Sequence, residues 1–514
     1  MITAQDHRAA DQFLHDPARP AGPVVDDEAG PQWIDGGARF WYPVGEGGGR
    51  RFVLVDPAAG TREPAFDHTR LAAALASASG RPVDPEALPL TAVRPTGGAV
   101  EFAALGGHWR CRLDDYTCEP AGFTPPGNPL EVVSPDGKVT VSRRGHDLWA
   151  RSLSDGRRWA LTTDGTPDHP YGTGPYGTGP YGTAGTTPLH EPGLPHLPPA
   201  VVWSPDSTRV LTHRTDERGV RRAHPAEARP TYGGVPAVPS QRSAPTRDGA
   251  VAQAELVVLD VDNGTAVRAQ ADPLLVPQMS PTATTWAWWA EDSSTVYYLA
   301  RSRHSRTLSL CRLDPATGEV TTVLSETGDT LVEPGQWPYE PPIVQVLTDE
   351  ALWYSQRDGW GHLYRYDLHT GALLGQVTSG PWSVRQILRV DEARRVVYFT
   401  AAGRVEEDPA RRTVCRAALD GPRFGSGSGF GFSFGFGFGL GSGFGLGSGF
   451  GLGSGLGFGF SELTDDELDH AVTVADGQEY FIDSASTADT PPVTRVRDWT
   501  GRVLVELSAR VPRH

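Results

Sequence analysis

Along most of this chain, apolar and polar residues alternate over short runs, and the alternation restarts about every forty residues. The clearest unit is Val201-Val-Trp-Ser-Pro-Asp-Ser-Thr-Arg-Val-Leu-Thr-His213, followed by Ala254-Glu-Leu-Val-Val-Leu-Asp-Val-Asp-Asn-Gly264. An apolar strand enters a Ser-Pro-Asp turn, a second and a third strand follow, and an Asp-Asn-Gly turn closes the unit. This is the grammar of a four-stranded antiparallel blade, and about eight such units in series predict an all-β fold, a β-propeller of eight four-stranded blades.

The units are read as follows. Blade one begins near Gln32–Tyr42 and continues through Arg51–Asp56. Blade two spans Ala92–Ala121, with strands at Ala99–Ala103 and Trp109–Leu113. Blade three holds Val132–Lys138 and His146–Gly156, its last strand ending in Leu161–Gly165. Blade four is the Val201 unit, with an irregular excursion over 217–252. Blade five holds Trp286–Ala290, Thr295–Leu299 and Leu308–Leu313. Blade six holds Ala351–Ser355 and His362–Leu368, and blade seven starts at Arg385–Arg389 and Val396–Thr400. Blade eight is Ala471–Gly477, Glu479–Asp483, Val493–Arg497 and Val503–Leu507. The propeller therefore covers residues 31–510.

Four segments depart from the pattern. Residues 4–16, within an amino-terminal segment of residues 1–30, read as a short helix carrying Phe13 and Leu14. A second helix follows Asp67, a good N-cap; Leu71 and Leu75 lie four apart and Gly80 ends it. Residues 170–187 repeat Pro-Tyr-Gly-Thr, and residues 424–460 are nearly all Gly, Phe, Ser and Leu. Alternating Gly and Phe imitates a strand, yet each Gly costs about 0.5–1 kcal/mol of backbone entropy relative to Ala. Both segments are expected to be low-complexity loop insertions, the second inside blade seven.

Composition narrows the function. The formal net charge of −16 disfavours nucleic acid, whose phosphates need clustered Lys and Arg. Residues 1–21 lack an apolar signal core, and no run of about 18 apolar residues exists to span a membrane. The four cysteines, Cys111, Cys118, Cys311 and Cys415, form no CxxC pair. Cys111 and Cys118 flank a short turn and can face each other across a hairpin; reduced thiols in a cytoplasmic protein are the expectation.

Chemical motifs are sparse. Gly431-Phe-Ser-Phe-Gly435 matches a nucleophile elbow by letters, but that elbow needs a buried strand before Ser433 and a helix after it, which the Gly-Phe repeat does not supply. His146-Asp147, Asp168-His169, Asp67-His68 and Asp469-His470 pair imidazole with carboxylate, but neighbours on a strand point to opposite faces, so turn chemistry is expected. Trp203, Trp288, Trp353 and Trp360 suit either blade packing or a ligand funnel, with packing favoured. Arg143-Arg144 and Arg221-Arg222 suit a carboxylate or carbonyl, though solvated loop charges are favoured. The residues assign no catalytic group, no metal site and no cofactor, and leave substrate-binding contacts unknown.

Several segments together resemble a family: Asp358-Gly-Trp-Gly-His-Leu-Tyr-Arg-Tyr-Asp-Leu368 with Gln376-Val-Thr-Ser-Gly380, His146-Asp-Leu-Trp149 with Leu161-Thr-Thr-Asp-Gly165, Val202-Trp-Ser-Pro-Asp206 and Asp489-Thr-Pro-Pro492. In this order they resemble the amino-terminal propeller of dipeptidyl peptidase IV-like serine peptidases of the prolyl oligopeptidase family, over residues 30–510. The resemblance implies an eight-bladed propeller that caps an α/β-hydrolase domain, limits access and contacts the free amine of a peptide substrate. It also implies that an amino-terminal segment such as residues 4–16 packs on that hydrolase domain. Two features depart from the family. A hydrolase domain would begin just after residue 510, so the catalytic part is expected to be absent from this chain. The family's paired glutamates should precede Val201, where the Pro-Tyr-Gly-Thr repeats and Leu189-His-Glu-Pro192 stand; only Glu191 is available, and Glu406-Glu407 lies in another blade. The resemblance thus implies a non-catalytic propeller partnered by peptide substrate or a hydrolase domain, inactive alone. The alternative is a stand-alone binding module for a protein or peptide.

Overall fold

The computed structural model of the chain describes residues 31–46, 49–121, 130–173, 198–220, 222–223, 241–242, 250–275, 280–335, 341–421, 459–475 and 477–507. The expected helix at residues 4–16, most of the Pro-Tyr-Gly-Thr repeat and nearly all of the Gly/Phe segment lie outside these residues.

Eight four-stranded antiparallel blades follow one another in chain order, the architecture of an eight-bladed β-propeller. Blade 1 is Gln32–Ile34, Arg39–Glu46, Gly49–Asp56 and Thr61–Pro64, and blade 2 is Thr91–Thr96, Ala99–Ala104, Gly107–Arg112 and Cys118–Pro120. Blade 3 is Glu131–Val133, Val139–Arg144, Asp147–Ser152 and Arg158–Ala160, and blade 4 is Val202–Trp203, Arg209–Asp216, Gln253–Asp260 and Ala266–Arg268. Blade 5 is Ala287–Trp289, Val296–Arg301, Thr307–Leu313 and Val320–Thr327, and blade 6 is Val344–Val346, Glu350–Ser355, His362–Asp367 and Leu373–Gln376. Blade 7 is Ser383–Asp391, Val396–Ala402, Arg412–Ala418 and Phe460–Glu462, and blade 8 is Asp469–Val474, Tyr480–Ser486, Val493–Asp498 and Val503–Glu506.

The structure refines four sequence boundaries. The last strand of blade 3 ends at Ala160, and Leu161–Gly165 lies beyond it. The blade 4 excursion contains a two-stranded ribbon, Arg222–Ala223 with Gln241–Arg242, and Leu274–Leu275 adds a short strand beside Gln253–Ala254. Pro170–Thr173, assigned to the repeat loop, is tied to blade 4. Phe460, assigned to the Gly/Phe insertion, is the first residue of the fourth strand of blade 7. That strand pairs with the third through Ala417↔Phe460, Arg416↔Ser461 and Cys415↔Glu462, so blade 7 is complete on both sides of the insertion.

The described residues form two compact units, one within 1–126 and 471–514, the other within 127–470. In the first, helix α1 (His68–Ser79) forms where its local signals place it: the Asp67 carboxylate accepts from Arg70 N at 2.9 Å, and Gly80 at φ 67° closes it. Its Leu71 and Leu75 are buried with Phe52, Phe66, Val100 and Trp109. Blades 1 and 8 also pack here, although far apart in sequence. Phe40, Tyr42 and Val55 meet Tyr480, Ile482 and Val496, and the Tyr480 hydroxyl donates to Gly37 O at 2.5 Å.

In the second unit each blade packs face to face on the next, which explains why a middle strand such as Gln253–Asp260 buries both its faces. Two hydrogen bonds recur between blades. Trp203 Nε1 donates to Val132 O at 3.1 Å, and Trp289 Nε1 donates to Val202 O at 3.0 Å, each linking a blade to the one before. Ser207 Oγ accepts from Asp136 N and Ser293 Oγ accepts from Asp206 N, both at 3.1 Å, so successive Ser-Pro-Asp-type turns interlock.

A third recurring bond lies within blades. A threonine just past the fourth strand accepts a backbone N–H of the third strand: Leu148 N to Thr162 Oγ1 at 3.0 Å, Leu363 N to Thr378 at 3.0 Å and Val414 N to Thr464 at 3.1 Å. This accounts for the Leu-Thr-Thr-Asp, Val-Thr-Ser-Gly and Leu-Thr-Asp-Asp sequences at blade ends. Replacing Thr464 by the isosteric valine leaves the buried Val414 N–H unpaired, and the expected loss is about 1–3 kcal/mol, read from urea unfolding, with Thr464→Ser restoring most of it.

Candidate functional site

In a four-stranded antiparallel blade, the hairpin between strands two and three and the connection to the next blade leave from the same rim. Within the 127–470 unit, that rim carries the Gly145–His146 hairpin, the turn that leaves Asp216, the hairpin around Trp360, and Glu406-Glu407.

The junction of blades 3 and 4 on this rim is the most elaborately built. Residues 168–172 continue the inner edge of blade 4 beyond its first strand: Glu217 N donates to Asp168 O, Thr215 N to Pro170 O and Gly172 N to His213 O. Tyr171 is buried, and its N–H donates to His146 O on the blade 3 hairpin. Its hydroxyl donates to Asp164 Oδ1 at 2.9 Å and accepts from Arg268 Nη2 at 3.2 Å. Arg214 lies 5.0 Å over the Tyr171 ring and pairs with Asp164 at 2.9 Å, while Arg268 also pairs with Glu255. Burial opposes ionisation of Asp164, but the Tyr171 bond and the two guanidinium groups hold its carboxyl below the ordinary value. Burial, reinforced by the bond to Asp164, pushes the Tyr171 phenol up. Two cations and two anions balance here, so the cluster is a clamp on the start of the inserted segment.

Beneath it, His213 is fully buried. Its Nε2 lies 2.9 Å from Thr173 O and its Nδ1 lies 3.2 Å from Thr282 Oγ1. A neutral ring protonated on Nε2 satisfies both partners. Desolvation pulls its pKa down to about 4.

Arg143 stands apart from the clamp. It pairs with Leu148 in the blade 3 ladder, and Leu148 belongs to the core shared with blade 4. The Arg143 side chain therefore leaves blade 3 on the face turned to blade 4, at the rim end. It is half-buried, desolvation alone depresses its pKa, and it has no ion pair or hydrogen bond among the described residues. A guanidinium in this state offers planar donors to a carboxylate or peptide carbonyl. Arg144, by contrast, is exposed and lies 5.1 Å over Trp149.

The blade 6 hairpin shows what its long motif is for. Arg357 pairs with Glu326 at 2.7 Å, donates to Ser355 Oγ and the Tyr366 hydroxyl, and lies 4.4 Å over Tyr364. Asp358 accepts from Gln376 Nε2 at 2.8 Å. At Gly361 a Cβ would stand 2.0 Å from the Tyr354 hydroxyl, so only glycine fits. His362 is buried between Thr378 Oγ1 and Gly380 O. Nearly every residue of the motif folds the blade; Trp360 instead stays 45% exposed.

Other sequence candidates resolve into structure. Trp203 and Trp353 are buried and hydrogen-bonded, the latter to Glu326, and Trp288 stacks on Tyr297. Asp67 caps α1 while His68 Nε2 accepts from Phe52 N, Asp147 accepts from Thr162 and Gly165, Asp469 pairs with Arg412, and His470 lies 2.9 Å from Asp466. Glu406 and Glu407 are exposed on the blade 7 rim. Ser433, Glu191 and Arg221 lie outside the described residues. Among the described residues, no three His, Cys, Asp or Glu side chains converge on a metal position, and no helix is long and apolar enough to cross a membrane.

A family model, the dipeptidyl peptidase IV (DPP IV) N-terminal region, matches residues 196–492, from the first strand of blade 4 into blade 8. This chain belongs to that family. Among curated relatives, the "Probable dipeptidyl peptidase 4" of Aspergillus flavus is 28% identical over 121 residues, which are 22% of this chain and 15% of the fungal protein. Among solved structures, a candidate dipeptidyl aminopeptidase IV of Bacteroides ovatus superposes with TM-score 0.59 at 17% identity, over 93% of this chain and 59% of its own. Porphyromonas gingivalis dipeptidyl peptidase 4 gives TM-score 0.56 at 15% identity, over 98% and 61%. At these identities the superpositions speak for the fold, and this DPP IV N-terminal family chain spans about three fifths of each solved protein.

The His213 environment sets a pH dependence. The unfolded chain binds a proton at this ring below about pH 6.5, whereas the folded chain does so only near 4, so stability is lost as pH falls through that window. The contribution is about 3 kcal/mol in order of magnitude. Urea midpoints measured from pH 7 to 4.5 are expected to fall more steeply for the natural chain than for His213→Gln.

Proposed function

We propose that this chain is the propeller portion of a dipeptidyl peptidase IV-like serine peptidase, gating and orienting peptide substrate for an α/β-hydrolase domain that does the cutting. The observation that carries this reading is the family match, supported by the superposition of 93–98% of the chain on 59–61% of two proteins named as a dipeptidyl aminopeptidase IV and a dipeptidyl peptidase 4. Bond cleavage is assigned to the hydrolase. The contribution of this chain is access and contact, with Arg143 as a donor to a peptide carbonyl or carboxylate on the rim. The net charge of −16 favours approach of a peptide carrying a free amino terminus. Four free thiols agree with a cytoplasmic setting.

The purified 514-residue chain is expected to bind short peptides and to leave a dipeptide chromogenic substrate intact. Turnover should appear when a family hydrolase domain is added. Arg143→Ala should weaken peptide binding about 10-fold or more, the worth of one charge-assisted hydrogen bond, with an unchanged melting profile. Hydrolysis by the chain alone would sink the division of labour. Capture of a folded protein, with no affinity for peptides, would replace it with the stand-alone binding module.

A further inference from the structure

The third and fourth strands of blade 2 place two thiols side by side. Cys111 on Gly107–Arg112 pairs directly with Cys118 on Cys118–Pro120. The ladder bonds fall on either side of them, Arg112 N to Thr117 O and Ala121 N to His108 O, which makes Cys111↔Cys118 a non-hydrogen-bonded pair. In such pairs the Cα atoms lie about 4.5 Å apart and the side chains share one face, within the range that a disulfide spans. Both cysteines are free, Cys111 buried and Cys118 half-buried. The two thiols act on each other: the Cys118 neighbour pulls the Cys111 thiol down, and Cys111 together with burial pushes the Cys118 thiol up. Cys311 and Cys415 have no such neighbour: Cys311 pairs with Thr322 and Cys415 with Glu462, and burial pushes both thiols up.

We propose that Cys111 and Cys118 are a redox-responsive dithiol, closed to a disulfide by exchange with a low-molecular-weight disulfide and reopened by the corresponding thiol. The more accessible sulfur, Cys118, attacks the external S–S bond as its thiolate, with the remaining proton of the pair resting on Cys111, forming a mixed disulfide and expelling one small thiolate; Cys111 then gives its proton to that thiolate. The Cys111 thiolate then attacks Cys118 Sγ, forming the internal S–S bond and expelling the second. The two protein protons leave on the two small thiols; the protein is oxidised by two electrons and the reagent is reduced by two. The closed loop contains Tyr116, whose hydroxyl accepts from Asp67 N at 2.6 Å and whose ring lies 4.2 Å under Arg70. Closing the pair would thus fix the hairpin that docks the start of α1.

The test is incubation of the full native chain in glutathione buffers of increasing oxidation, acid quenching and peptide mapping. The expected product joins Cys111 to Cys118, with Cys311 and Cys415 still alkylatable. Phenylarsine oxide, which needs two adjacent thiols, should bind one equivalent and block that product. In Cys111→Ser, the reaction should stop at glutathione on Cys118. Persistence of that mixed disulfide in the natural chain, or four alkylatable thiols at every poise, would overturn the proposal; neither reading depends on the variant folding.

Discussion

A blade alone has two hungry faces, and the fold depends on how each finds the next blade in the correct register. At the interfaces of blades 3 with 4 and 4 with 5, the indole N–H of the first strand settles this. It reaches across the interface to a first-strand carbonyl of the preceding blade, as Trp203 and Trp289 do, and so fixes height as well as distance. Apolar packing by itself would permit neighbouring blades to slide. A directional bond buried at the interface does not, because breaking it strands a donor away from water. The interlocked Ser-Pro-Asp turns, which follow directly on these first strands, add to the constraint at the same rim.

With that frame in place, the other rim is free to vary. The segment after Thr173 departs from a place where Tyr171 is buried and ringed by compensated charge, so the addition begins from a fixed point. The same economy marks the Trp360 hairpin, where Arg357, Asp358, Gly361 and His362 are all committed to blade 6 and the exposed indole is left over. Arg143 has the opposite character: its surroundings remove water without supplying a counter-charge.

How much of this was legible in the sequence follows from how local each feature is. Helix α1 was readable because its cap, its apolar spacing and its terminal glycine all lie within fourteen residues, 67–80. Second and third strands were readable because both their faces are buried and their apolar content is dense. The outer strands Thr61–Pro64 and Leu373–Gln376 were not, since they are mostly exposed and carry little pattern. The pairing of Cys111 with Cys118 needed only a short hairpin and could be anticipated. The clamp around Tyr171 could not, because Asp164, Arg214 and Arg268 come together across a hundred positions. Arg143 was expected to be a solvated loop charge; it is half-buried on the face of blade 3 turned to blade 4, a placement that leaves no trace in the residues beside it.

The third and fourth strands of blade 7 pair in register although about forty residues separate Ala418 from Phe460, and the Phe460 ring lies tilted against Trp382 at 5.1 Å as the anchor of the return. Lengthening a connection from a tight hairpin to that span raises the closure entropy only slowly, about 0.6 kcal/mol per doubling. The scaffold thus has a splice point at which cargo is thermodynamically cheap. A foreign domain with adjacent termini, grafted between Gly421 and Gly459, would ride on the propeller as a passenger at a closure cost that grows only by about 0.6 kcal/mol per doubling of the effective span.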